Sequence, residues 1–122
     1  MLKVHTRDLG NATVLFLQGQ IVNGDTGILR LAFDSLSQIN TVLLDLAGVT
    51  IIDAHGLGVM LELREQAEKK GTRFKLTNVP TLVNRVLEIS RLDSVFQITS
   101  RIEYFPPVPH PQRASVRLKS CA

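Results

Sequence analysis

The chain of 122 residues contains one cysteine, Cys121, and no tryptophan. A single thiol beside the C-terminus cannot close an intrachain disulfide and cannot build a cysteine-based metal site. No cofactor and no metal are expected. Aromatic residues make up only 5% of the chain. No apolar run approaches the roughly 20 residues of a membrane span, so membrane insertion is not expected. The opening M-L-K-V-H-T-R-D lacks the apolar stretch of a signal peptide. These absences give the expectation of a cytoplasmic protein. The length suits one domain with a core of its own.

Charge is also missing where a nucleic-acid binder would need it. Residues 1–105 carry eleven Lys/Arg and eleven Asp/Glu, which cancel. The net charge of +3 comes from Arg113, Arg117 and Lys119 in a stretch without acid. A basic patch interleaved with aromatics on the folded part is absent, so no direct nucleic-acid binding is expected. The reading divides the chain into a domain over 1–105 and a Pro-rich basic tail over 106–122.

What is present is an alternation of strand and helix patterns. Leu2, Val4 and Thr6 alternate with Lys3, His5 and Arg7, as in a half-buried strand. Leu9-Gly10-Asn11 signals a turn. Ala12–Gln18 reads as a strand buried on both faces, so the two form an antiparallel hairpin. After the turn and cap residues Asn23-Gly24-Asp25, Leu29, Ala32, Phe33 and Leu36 fall on one helical face. Thr41–Leu46 is a second buried strand. Gly56–Lys70 is helical, with its first half (Val59, Met60, Leu61, Leu63, Ala67) buried and its second half solvated. Gly71 suits the position after the helix end. Arg73–Thr77 is a short strand. Pro80 opens a third helix with Val79, Leu82, Val83 and Val86 on its apolar face. Val95–Ile98 is a last short strand. The order β-β-α-β-α-β-α-β predicts an α/β fold, a mixed sheet of about five strands with helices packed on it.

The most informative stretch is V49-T-I-I-D-A-H-G-L-G-V-M60. A buried strand delivers a loop to a helix start, where unpaired N–H groups and the helix dipole favour negative charge. Asp53 is the natural N-cap, and Gly56 allows close backbone packing. A phosphate-binding loop is disfavoured, because neither G-x-x-x-x-G-K-[ST] nor G-x-G-x-x-G is present. A catalytic reading would pair Asp53 with His55, but residues two apart at a helix start diverge, and no Ser, Cys or second carboxylate adjoins them. His5 lies in an edge strand and His110 in the tail. The protein is therefore not expected to be an enzyme.

V42-L-L-D-L-A-G-V-T-I-I-D-A-H-G-L-G-V-M60 resembles the signature of the STAS domain of bacterial anti-sigma factor antagonists, which carry D-S-S-G-L-G or D-S-A-G-L-G after the same strand. V83-N-R-V-L-E-I-S-R-L-D-S-V-F-Q-I98 is similar to the family's third helix and last strand, and L17-Q-G-Q-I21 to the entry into its first helix. The resemblance covers about residues 3–100. It implies a STAS-like fold and a function in partner switching, in which the antagonist binds an anti-sigma factor, often itself a serine kinase, and frees a sigma factor. Phosphorylation of the serine after the motif Asp then reverses binding, by adding about −1.5 to −2 charges inside the interface. Here that place is Ala54, a degenerate phosphosite without a hydroxyl, and His55 replaces the next small residue. Arg91 stands where many members have Gly, and the Pro-rich tail replaces the usual C-terminal helix.

The implied partner-binding residues are Asn23, Asp25, Thr50, Asp53, Ala54, His55, Gly56 and Leu57. The implied function is that of an anti-sigma factor antagonist-like interaction module regulating transcription. A STAS accessory subunit of a membrane transporter and a nucleotide-binding sensor are the alternatives, and a homodimer remains open. The four prolines after Tyr104–Phe105 and the lack of apolar periodicity place residues 106–122 outside the core. Deleting 106–122 should leave the melting temperature nearly unchanged. A collapse in a thermal melt would show that the tail is a structural part of the domain.

Overall fold

A computed structural model describes residues 1–36 and 40–99; the expected tail lies outside them. One five-stranded sheet has its strands in sequence order, β1 (Lys3–Asp8), β2 (Ala12–Ile21), β3 (Thr41–Ile52), β4 (Arg73–Thr77) and β5 (Gln97–Ile98). The hairpin β1–β2 is antiparallel, and β2, β3, β4 and β5 run parallel. Helices α1 (Gly27–Asp34), α2 (Ala54–Lys69) and α3 (Thr81–Ile89) form the parallel crossovers. The expected α/β mixed sheet is the observed one, and β2 and β3 lie inside it.

The core follows from strand periodicity. Leu15 and Leu17 of β2, Val42, Leu44 and Leu46 of β3, and Phe74 and Leu76 of β4 share one face. Against them pack Leu29 and Phe33 of α1, Val59, Met60, Leu63 and Ala67 of α2, and Val83 and Leu87 of α3. Phe33, Phe74 and Phe96 meet in tilted pairs with centroids 6.2 and 6.3 Å apart, and the Lys70 ammonium sits over the Phe33 ring.

Five expectations require correction. Strand β3 does not end at Leu46 but runs to Ile52, through two bulges against β2. Leu46 and Ala47 oppose the single residue Leu17, and Thr50 is inserted between the partners of Gly19 and Gln20. Each bulge shifts the two-residue alternation, so the run after Leu46 no longer reads as a strand. Helix α2 begins at Ala54, directly after its expected cap Asp53 and two residues before the expected Gly56. In α3 the buried positions are Val83 and Leu87; Leu82 is 56% exposed, and Val79 and Val86 only border the core. The helix starts at Thr81 after the cap Pro80, and its buried stripe runs through Val83 and Leu87. Leu57 and Leu61 are likewise half-buried, so the first half of α2 is not enclosed all round. Finally, Leu92–Ser94 forms a short 3-10 turn, leaving β5 only Gln97 and Ile98. Arg91 precedes that turn in the left-handed conformation (φ 62°), which explains why a glycine suits the position.

Leu63 is 1% exposed at the centre of this core. Leu63→Ala should cost about 2–5 kcal/mol in chemical denaturation.

Candidate functional site

The carboxyl ends of β2 and β3 lie side by side, with Ile21 beside Ile52. The loops that follow them, Val22–Thr26 and Asp53, meet above this edge. Asp53 ties them together. Its Oδ1 accepts the Gly56 N–H at 2.8 Å and caps α2, while its Oδ2 accepts the Asn23 N–H at 3.0 Å from the other loop. The Asp53 N–H donates in turn to the Ile21 carbonyl at 3.3 Å. The Asn23 donor above all, then the Gly56 donor, holds the Asp53 carboxyl below the usual carboxylate range, and the nearby His55 acts in the same sense. A folded-state value below the unfolded one means that this carboxylate stabilises the fold above its ordinary pKa. That stabilisation fades as pH falls through the folded value.

Gly56 completes the junction. A Cβ built there would stand 2.0 Å from the Ile21 carbonyl oxygen and 2.9 Å from its carbon, so only glycine lets α2 approach β2 this closely. Gly58 is different: a Cβ there would meet nothing within 4 Å. The G-L-G pair therefore contains one sterically required glycine and one that this chain does not need for packing. Neither forms a phosphate cradle, since Gly56 is buried against β2 and Gly58 lies inside α2.

Around the junction, α1 and α2 are joined twice. The Thr26 hydroxyl and His55 Nε2 lie 3.4 Å apart and share a hydrogen bond. Arg30 donates to Glu62 at 2.5 Å, and each keeps the other in its charged form. The Met1 ammonium stands 3.6 Å from Asp25. Thr26, Arg30 and Glu62 escaped the sequence reading because they sit 29 and 32 residues from their partners. Only a helix face shared across two elements could have signalled them.

The eight expected contact residues separate into three groups. Asn23, Ala54 and His55 are exposed, and Asp25 and Asp53 are partly exposed, all on one rim. Gly56 is buried, and Leu57 packs against the core, so both support the rim rather than present a surface. Thr50 is exposed but belongs to the second bulge of β3, where its hydroxyl donates to the Gly19 carbonyl at 3.2 Å. The Asp53–His55 pair expected to diverge does so: both Asp53 oxygens are taken by backbone N–H groups, and the imidazole turns to Thr26.

Residues 4–99 match the family model described as Mlab, STAS domain. The chain belongs to the STAS domain family. This STAS chain is similar to an anti-sigma factor antagonist from Mycobacterium paratuberculosis, at 17% identity and TM-score 0.70 over 98% of this chain and 95% of that one. A sulfate transporter family protein from Wolinella succinogenes matches at 19% identity and TM-score 0.66, over 92% and 89% of the two chains. Mglu matches at 29% identity and TM-score 0.58 over 63% of this chain. There the match spans only 19% of Mglu's own length.

The two glycines give a paired test. Gly56→Ala should destabilise the protein by at least about 1–3 kcal/mol through overpacking against Ile21. Gly58→Ala should stabilise it by about 0.5–1 kcal/mol by restricting the unfolded chain inside a helix. Urea denaturation of both variants distinguishes them, and equal effects would contradict the close approach at Ile21.

Proposed function

We propose that this STAS domain is a docking module of the anti-sigma factor antagonist type, without catalysis, whose usual phosphorylation switch is missing. The observation that carries this reading is the position of Ala54. It is the first residue of α2, exposed, directly after a cap whose carboxylate is fully committed to backbone donors. A hydroxyl at this place would be open to a kinase. A methyl group there leaves the rim competent to bind and unable to accept phosphate.

The partner is an anti-sigma factor, in the form of a serine kinase that recognises the unphosphorylated rim. Asn23, Asp25, Asp53, Ala54 and His55 form the contact, with Thr26, Arg30 and Glu62 fixing α1 against α2 behind it. A phosphate on residue 54 would place about −1.5 to −2 charges next to Asp53 and break the contact. With Ala54 the complex should be insensitive to ATP.

A second reading is favoured by the fold shared with a sulfate transporter family protein. In it the same rim docks on a membrane transporter as an accessory subunit. Among the described residues no helix is long and apolar enough to cross a membrane.

Pull-down from the native cell, followed by mass spectrometry, identifies which partner class binds. The captured kinase is then incubated with ATP and either the natural chain or Ala54→Ser. The expected outcome is no added phosphate and unchanged binding for the natural chain, with phosphorylation and loss of binding for Ala54→Ser. Phosphate on Thr50, Ser90 or His55 with loss of partner would overturn the unswitched reading. Recovery of transporter subunits alone would favour the second.

A further inference from the structure

The start of β4 is flanked by a strand on one side only. Strand β3 pairs with all five residues of β4, from Arg73 to Thr77, whereas β5 pairs with Lys75 and Leu76 alone. A cavity of about 310 Å³ lies at the gap this leaves beside Arg73 and Phe74, a volume at the low end for small-ligand sites. The second half of α2 walls it with Arg64 and Glu68, the turn that follows with Gly71, and the chain entering β5 with Val95 and Gln97. Helix α2 starts at the Asp53 cap, so the cavity and the rim lie toward opposite ends of one helix.

The polar groups of this cavity are mostly donors. Successive residues of a strand turn their N–H and C=O groups to alternate sides. The Arg73 N–H donates to the Asn40 carbonyl at 2.9 Å, on the β3 side. The Phe74 N–H therefore points the other way, into the gap, where no acceptor meets it among the described residues. Phe74 is 5% exposed, and an unpaired N–H on so buried a residue is rare. Arg64 and Arg73 add two cations, and Arg73 forms no ion pair among the described residues. Glu68 is the single acid of the wall, and Arg64 already donates to it at 2.9 Å. That pair has the arginine before the acid, the weaker order on a helix, and it leaves the guanidinium with further donors. The wall thus carries one net positive charge.

We propose that this cavity binds a small monocarboxylate with a short apolar body. One carboxylate oxygen accepts from the Phe74 N–H and the other from Arg73, which supplies a charge-assisted bond. The apolar body rests on Val95, a side chain left 37% exposed, and on the aliphatic stem of Arg64. Charge sets the selectivity. A single negative charge balances the wall, a doubly charged anion meets the Glu68 carboxylate, and a neutral amide forfeits the bond to the guanidinium.

The test is an NMR titration of the isotope-labelled full chain with sodium hexanoate and with sodium benzoate. The backbone amides of Phe74, Gly71 and Gln97 should shift saturably, Phe74 downfield as its N–H gains an acceptor, while those of Asn23 and Gly56 at the rim stay in place. Hexanamide and benzamide, of the same shape without the charge, should bind at least about tenfold more weakly, and so should the two carboxylates to Arg73→Gln. Arg73 is exposed, so that variant keeps the fold, which unchanged rim amides verify. A Phe74 amide that does not respond, or amides that bind as tightly as the acids, would overturn the proposal. Inorganic phosphate that shifts the same amides with equal affinity would reduce the cavity to an unselective anion patch and equally overturn it.

Discussion

One carboxylate holds the strand-end rim of this molecule together. Asp53 accepts one N–H from the helix it caps and one from the loop that follows a different strand. The distance between those loops is set by the missing side chain of Gly56, since any Cβ there would strike the Ile21 carbonyl. The cap and the glycine are thus halves of one joint. The cap fixes where α2 starts, and the glycine fixes how near it sits to β2. Ala54 and His55 lie between these constraints and are held outward at the rim.

The same logic operates lower in β3. The twelve-residue strand β3 runs beside β2 along its whole length, while β4 accompanies only its first five residues. The remainder carries the chain beyond β4 to the rim, and two bulges bend it there. Each bulge has a side chain that compensates for the lost ladder. Asp45, fully buried, accepts the Ala47 N–H at 2.9 Å and the Asn78 amide at 2.8 Å, joining the first bulge to the turn after β4. Thr50 does the corresponding service for the second by donating to Gly19. A buried carboxylate in a central strand is costly unless its oxygens are bonded, and here both are.

The sequence made the order of elements, the hairpin, the Arg73–Thr77 strand and the Asp53 cap legible because each rests on local chemistry: alternation, a turn signal, a cap residue before a helix. What was not legible rests on two separate stretches meeting. The extension of β3 hides behind Ala47-Gly48, which reads as a break until β2 is laid alongside. The buried face of α3 was not legible because Leu82, Val83, Val86 and Leu87 offer two overlapping apolar stripes, and only packing on the sheet selects Val83 and Leu87. At the rim, Asp53 and Gly56 were readable from spacing. The engagement of Thr26 with His55 and of Arg30 with Glu62 was not, since nothing local marks those residues. Thr50 shows the reverse case: it sits inside the motif, yet its hydroxyl maintains a bulge.

The sheet order carries a consequence for how the protein forms. Strands appear in space in the order in which they appear in the chain, so every strand pairs with its immediate predecessor. A ribosome therefore releases each new strand against an edge that already exists. The hairpin provides the first edge, and β3, β4 and β5 are added in turn, each brought back by one helix. No strand must wait for a distant segment to emerge, which shortens the loops closed at each step and the time that an apolar edge stays bare. At the finished hairpin edge, the outermost strand carries Lys3 and Arg7, charges that discourage a further strand from joining. Assembly thus has a direction, running away from an edge that is charged from the start.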